Sequence, residues 1–163
     1  MPTRTLLLIL CSLLALLAGA RTATAGRQKL VVVVAKGSPV TSISLTDLKR
    51  CFLGDRVTAH DRVLVPFNSP PRTSERTGFD RSALGMSPDD VGRFWIDRKV
   101  RGQSGAPRDL PSVAYVTKVV AKFPGAIGYL AVDALGPDVQ PVLVDGVAYT
   151  DAAYPLTTDA GAP

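Results

Sequence analysis

Phe123–Leu130, with the sequence FPGAIGYL, is the stretch that decides the fold. It follows a segment whose apolar residues recur at helical spacing and end on Phe123, and it runs into a short apolar segment. Pro124 ends a helix because proline has no N–H donor and disfavours helical backbone in the residue before it. Gly125 and Gly128 permit a tight turn and a close approach between two backbones. The stretch therefore predicts a helix, a turn and a strand, in that order.

Strand patterns alternate with capped helical patterns along the rest of the chain. Leu30–Val34 is a continuous aliphatic run, typical of a strand buried on both faces. Further strands are predicted at 63–67, 127–132 and 139–144. Pro66 indicates an end or edge position for the strand that contains it. Helices are predicted to begin at Ser44, at Thr73 or Ser74, at Ser87, and at Ser112 or Asp109. This alternation predicts an α/β domain with strands of mixed direction.

The N-terminus has the three regions of a secretory signal peptide. Met1–Arg4 is short and basic, Leu6–Ala20 is apolar and uncharged, and Ala23–Ala25 offers a small-x-small cleavage site. An apolar run of 15 residues is shorter than the roughly 20 that a membrane span needs. We therefore predict residues 1–25 to be a signal peptide cut after Ala25, which places the domain in the periplasm or outside the cell. A retained membrane anchor is the alternative.

The remaining chain has the composition of one exported domain without an evident active site. Removing 25 of the 163 residues leaves 138, of which 17 are basic and 14 acidic, a net charge of +3. This charge is small and evenly spread, which argues against nucleic-acid binding. Cys51 has no cysteine partner in the domain, and its apolar helical surroundings predict a buried side chain. His60 is the one histidine, so no metal site of the usual kinds is predicted. No Gly-x-Ser-x-Gly and no phosphate-loop glycine motif occurs, so no catalytic residues and no cofactor are predicted. We predict a domain over 26–149 and a loose, polar C-terminal tail over 150–163.

FPGAIGYL resembles the Gly-Ala-Ile-Gly-Tyr segment of the phosphate-binding subunits of ABC importers, which are type II periplasmic binding proteins. The order of segments matches the later lobe of these proteins: Val31–Gly54 is similar to a strand, loop and helix of that lobe, and Phe52 and Gly54 carry its Phe-x-Gly helix end. The resemblance implies a bacterial protein and a mixed sheet flanked by helices. Full-length members have two lobes that grip the ligand between them. The 138 residues have room for one, so the fold class is α/β, a type II periplasmic-binding-protein-like single lobe.

One loop carries the candidate ligand residues. The family's anion loop has an arginine and an acid before a Ser-Gly-Thr triplet at a helix start, and 72–78 here, RTSERTG, keeps the arginine and hydroxyls without the triplet. Arg72, Thr73 and Ser74 are the predicted oxyanion ligands, through a guanidinium fork, hydroxyls and free backbone N–H groups. In the alternative interpretation, Thr73 or Ser74 only caps the helix and the arginines of the loop are solvated. Ser38 follows the first strand and is a further candidate, or simply a turn residue before proline.

Two functions follow from these patterns. The resemblance implies an exported solute-binding module for phosphate or a related oxyanion. Its partners would be the membrane subunits of an ABC transporter, and a homodimer would supply a second wall to the site. The alternative is an exported protein-interaction or assembly module on the same fold, with a lost ligand pocket and a protein partner in the envelope. In neither case is an enzyme predicted.

Overall fold

The computed structural model describes residues 28–158. The predicted signal peptide lies outside these residues. Within them, no helix combines the length and the apolar character that crossing a membrane requires.

A mixed sheet of five strands forms the centre of the domain, in the order β6-β5-β7-β1-β8. The strands are β1 (Leu30–Ala35), β5 (Val65–Asn68), β6 (Arg108–Asp109), β7 (Ala126–Ala131) and β8 (Val139–Pro141). The predicted stretch FPGAIGYL enters the sheet as its middle strand, β7. This strand runs parallel to β5 and antiparallel to β1, with Val32 opposite Tyr129. The predicted α/β class and mixed strand direction are confirmed.

Two short pairs of strands lie outside this sheet. One is a parallel pair of β2 (Ser42–Ile43) with β9 (Leu143–Val144), and the other is a hairpin of β3 (Thr58–Ala59) with β4 (Arg62–Val63). The predicted strand over 63–67 is therefore divided between β4 and β5. Pro66 is paired with β7 on one side only, because β6 begins opposite Phe67.

Within residues 28–158, four α-helices flank the sheet, and each begins after a predicted cap. The helices are α1 (Leu45–Phe52), α2 (Ser74–Phe79), α3 (Pro88–Val100) and α4 (Val113–Lys122). The caps are Ser44, Thr73, Ser87 and Ser112, whose side chains accept from backbone N–H groups in the first turn. α2 continues into a π-helical turn at Asp80–Leu84, which the sequence pattern does not distinguish from an ordinary helix.

Apolar side chains fill both faces of the sheet. On one face, the rings of Phe52, Phe79 and Tyr129 pack together: Phe79 and Tyr129 lie parallel with their ring centres 3.9 Å apart, and Phe52 is tilted against both. On the other face, α4 packs its valines against β1 and β7. Gly128 allows this contact, since a Cβ there would lie 2.9 Å from a methyl group of Val116. The predicted close backbone approach is found at Gly125, where a Cβ would lie 2.5 Å from the Val63 carbonyl oxygen, whereas the close contacts at Gly128 are with valine side chains.

Phe123 does not belong to the apolar face of α4, contrary to expectation. Its backbone is extended (φ −98°, ψ 116°) because the helix ends there, before Pro124. Phe123 is 58% exposed, and its ring centre lies 6.4 Å from that of Phe67.

The C-terminal segment is not loose over the part of it that the structure describes. Tyr154, Leu156 and Thr158 are buried, and the Leu30 N–H donates to the Leu156 carbonyl at 3.1 Å. The Tyr154 hydroxyl accepts from the Val32 N–H at 3.3 Å. Every second residue over 154–158 is buried, as in a strand with one face toward the core. The polar composition of the whole segment concealed this alternation in the sequence. Residues 154–158 are therefore part of the packed domain.

Cys51 is buried on α1 with 1% of its surface exposed, as predicted. Burial raises the pKa of its thiol from the usual 9.0 to about 12. Between these two pH values the native state keeps the thiol proton, whereas the unfolded chain loses it. The protonated thiol therefore contributes stability that is fully present below pH 9 and is lost as the pH rises toward 12. We expect the free energy of unfolding of the wild type to fall more steeply over this range than that of Cys51→Ala, as measured by urea denaturation. Equal slopes would contradict a buried thiol.

Candidate functional site at the carboxyl edge of the sheet

The carboxyl ends of three neighbouring strands meet at one edge of the sheet. β5 is parallel to both β6 and β7, so all three end on the same side, here called the carboxyl edge. Ligands of open α/β sheets bind outside this edge. The chain leaves β5 at Asn68 and enters α2 after a turn at 69–73. The predicted anion loop, 72–78, therefore begins at the carboxyl edge.

The Thr73 hydroxyl is hydrogen-bonded to the backbone of neighbouring residues. It donates to the Pro70 carbonyl at 3.0 Å and accepts from the Arg76 N–H at 3.2 Å. Both interactions fix the start of α2, so the hydroxyl has the capping role of the alternative interpretation. The Ser74 hydroxyl donates to the Glu75 carboxylate at 3.3 Å, so it is already hydrogen-bonded to an acidic side chain.

Arg72 is the one predicted ligand of the loop that remains available. Its side chain is exposed and has no ion pair within residues 28–158. Its backbone lies in the left-handed region, with φ of 67°. A non-glycine residue seldom adopts this conformation without a local reason. Here it turns the chain from the Pro70-Pro71 turn into the start of α2.

Arg76 is largely shielded from solvent and ion-paired, whereas the alternative interpretation of the loop has its arginines solvated. Its Nε lies 3.1 Å from both carboxylate oxygens of Asp80, and its Nη1 lies 2.7 Å from Asp109. The Arg76 and Asp80 side chains are 13% and 3% exposed. Burial raises the pKa of Asp80, and the guanidinium lowers it only in part. The i, i+4 spacing of this pair on one helix is the sequence signal that could have revealed it.

A layer of buried polar groups lies beside this ion pair. The Tyr129 hydroxyl donates to Asn68 Oδ1 at 3.3 Å, and burial raises the pKa of Tyr129, so the phenol stays neutral. The Ser69 hydroxyl is fully buried and has no hydrogen-bond partner within the described residues. No group of three or more acidic, histidine or cysteine side chains in residues 28–158 could hold a metal ion. Neutral hydroxyl groups and arginine side chains at this edge favour the binding of an anion, whereas the carboxylates of Asp80 and Asp109 disfavour it.

Ser38 lies at the other edge of the sheet. β1 is antiparallel to β7, so the loop after β1 sits where β5 and β7 begin, here called the amino edge. A strand of five or six residues spans about 17–20 Å. Ser38 therefore cannot contact a ligand held by Arg72. Of the predicted ligand residues, Arg72, Thr73 and Ser74 lie at the carboxyl edge and Ser38 lies at the amino edge.

No family model matches the sequence, and neither does any curated protein. The fold is similar to an ABC-type phosphate transport receptor from Vibrio cholerae, with 15% identity and a TM-score of 0.65 over 83% of this chain and 55% of that one. A putative phosphate ABC transporter substrate-binding protein with bound phosphate, from Clostridium perfringens, has 16% identity, a TM-score of 0.65 and the same coverage. PstS from Borrelia burgdorferi has 11% identity and a TM-score of 0.61, over 82% of this chain and 55% of that one.

These similarities define the class of the domain by its fold. It has the fold of a phosphate-binding-protein-like single lobe, as the resemblance of FPGAIGYL implied. The chain spans about half the length of these solved structures, 55% in each case.

Proposed function

We propose that this domain is an exported solute-binding module whose ligand is phosphate or a related oxyanion. The observation that carries the proposal is the fold shared with solved phosphate transport and phosphate-binding proteins, one of which holds phosphate. These neighbours are binding proteins of transporters, so the proposed role is binding and not catalysis. Export rests on the signal peptide predicted over 1–25. The membrane subunits of an ABC transporter are the proposed partners.

Arg72, Thr73 and Ser74 are the proposed ligand residues at the carboxyl edge. Arg72 supplies an unpaired guanidinium that can hold two oxygens of an oxyanion. The first N–H groups of α2 have no partner within the helix and face the same turn. Thr73 acts through the cap, which fixes these donors in place. A homodimer would supply a second wall to this site and shield it from water, which strengthens the binding of an anion.

We expect Arg72→Ala to weaken phosphate binding about tenfold or more, because a hydrogen bond to a charged group contributes about 1.5–3 kcal/mol. Calorimetric titration of the full chain with phosphate measures the change, with sulfate and chloride at matched ionic strength as comparison ligands. Arg56→Ala is the matched control, since Arg56 is also exposed and unpaired within the described residues but follows α1 in a different loop. An unchanged titration curve for Arg72→Ala would remove Arg72 from the site.

A protein-interaction module on the same fold is the second candidate. Two observations favour it: the Thr73 hydroxyl caps the helix, and Arg76 is paired with two aspartates. This function predicts capture of a specific envelope protein and no stabilisation by small oxyanions. A selective rise of the melting temperature with phosphate, without any partner in the envelope, would exclude it.

A further inference from the structure

A pocket of about 230 Å³ lies at the amino edge, opposite the proposed phosphate site. Three separate segments form its walls. The loop after β1 contributes Lys36 and Ser38, β4 contributes Arg62, and the passage from α4 into β7 contributes Lys122 and Gly125. The pocket thus includes Ser38, the residue that the topology separates from Arg72.

The charge of the pocket is uniformly positive. Lys36, Arg62 and Lys122 line it, and none of its lining residues is acidic. None of these three cations has an ion pair within residues 28–158, whereas Arg50, Arg76, Arg93 and Arg101 are each paired with an aspartate. The C-terminal end of α4 adds roughly half a negative charge, which the three cations exceed. Like charges around a shared cavity repel one another, and an anion between them relieves that repulsion.

The walls of the pocket are held in place without a ligand. The Gln140 side chain accepts from the Gly37 N–H and donates to the Ser38 carbonyl, both at 2.9 Å. Gly125 lies so close to β4 that a Cβ would be 2.5 Å from the Val63 carbonyl oxygen. The Ser38 Oγ accepts from the Val40 N–H at 3.3 Å, which leaves its hydroxyl proton free to donate into the pocket.

The size and charge together define the ligand class. A volume of 230 Å³ falls below the roughly 300–1,000 Å³ of sites for drug-sized ligands. The occupant is therefore a small ion or the terminal group of a larger ligand. A phosphate monoester carries about −1.5 to −2 at pH 7, less than the charge of the three lining cations. A diphosphate carries more negative charge and matches them better. We propose that this amino-edge pocket binds a diphosphate group, through Lys36, Arg62, Lys122 and the Ser38 hydroxyl.

Calorimetric titration of the full chain with inorganic pyrophosphate tests the proposal. Adenosine diphosphate, phosphate and sulfate at matched ionic strength are the comparison ligands. Lys36→Gln, Arg62→Gln and Lys122→Gln are each expected to weaken pyrophosphate binding about tenfold or more. Lys118→Gln is the control, because Lys118 is exposed on the same helix as Lys122, with its Nζ 5.7 Å from the ring centre of Tyr115, and does not line the pocket.

The outcomes separate this site from the proposed phosphate site. Arg72→Ala is expected to leave pyrophosphate binding unchanged, and Lys122→Gln to leave the binding of phosphate at the carboxyl edge unchanged. If adenosine diphosphate binds as tightly as pyrophosphate, the pocket accepts a terminal diphosphate; if pyrophosphate alone binds, it accepts the free ion. An absence of binding at millimolar pyrophosphate overturns the proposal. An equal loss of affinity in Lys118→Gln and Lys122→Gln also overturns it, since diffuse surface charge would then explain the binding.

Discussion

Replacing Arg76 with alanine is expected to destabilise the domain by about 3–5 kcal/mol, because the change leaves a buried carboxylate without its cation. The Asp80 side chain is 3% exposed, and the Arg76 Nε contacts both of its oxygens at 3.1 Å. Urea denaturation at pH 7 of Arg76→Ala and wild type measures the difference.

Two comparisons give this prediction its controls. Arg50 also contacts two aspartates but is 53% exposed, so Arg50→Ala is expected to lose less than about 1 kcal/mol.

In Arg76→Ala, burial acts on Asp80 without an opposing cation, so the pKa of Asp80 rises further. The native state then binds the proton more tightly than the unfolded chain, and the deficit shrinks as the pH falls. A deficit that is independent of pH, and is not recovered by adding Asp80→Asn, would mean that lost packing and not the unpaired charge is responsible.

Gly125→Ala is expected to destabilise the domain by about 3 kcal/mol or more, because two effects coincide at this position. The backbone has φ of +83°, which disfavours every residue with a side chain, and the new Cβ would lie 2.5 Å from the Val63 carbonyl oxygen. That oxygen belongs to the backbone and moves only if β4 moves. The shift would strain the adjacent hydrogen bond from the Val65 N–H to the Gly125 carbonyl. Thermal and urea denaturation of the variant measure the loss.

Gly37→Ala separates the two effects. Gly37 has nearly the same φ, +79°, but a Cβ there would meet nothing within 4 Å. Its expected loss is therefore the conformational part alone, about 1–2 kcal/mol. Similar losses in the two variants would show that the contact with Val63 has little weight.

Local structure could be predicted from the sequence because its signals are local. Ser44, Thr73, Ser87 and Ser112 each cap a helix through a hydrogen bond that spans three residues, and Pro124 ends α4 by its own covalent geometry. The packing of the C-terminal segment was not predicted. Tyr154 and Leu156 are buried against β1, more than a hundred positions earlier in the chain, and a polar local composition conceals such contacts.

The candidate site was only partly predictable for the same reason. The position of Arg72 at the start of a helix follows from neighbouring residues, but its separation from Ser38 follows from the antiparallel pairing of β1 with β7. The pairing of Arg76 was not predicted, because one of its acidic partners, Asp109, lies 33 positions away on β6. Charge pairing between distant segments decides whether such a cation stays free, and it becomes visible only in three dimensions.

The position of β1 has a consequence for the order in which the domain assembles. This strand emerges early from the ribosome, yet its neighbours on both sides, β7 and β8, are synthesised about a hundred residues later, as the pairing of Val32 with Tyr129 shows. A valine-rich strand that waits for distant partners is slow to fold and is a template for aggregation meanwhile. We therefore expect the central sheet to be completed only after β7 and β8 have been synthesised.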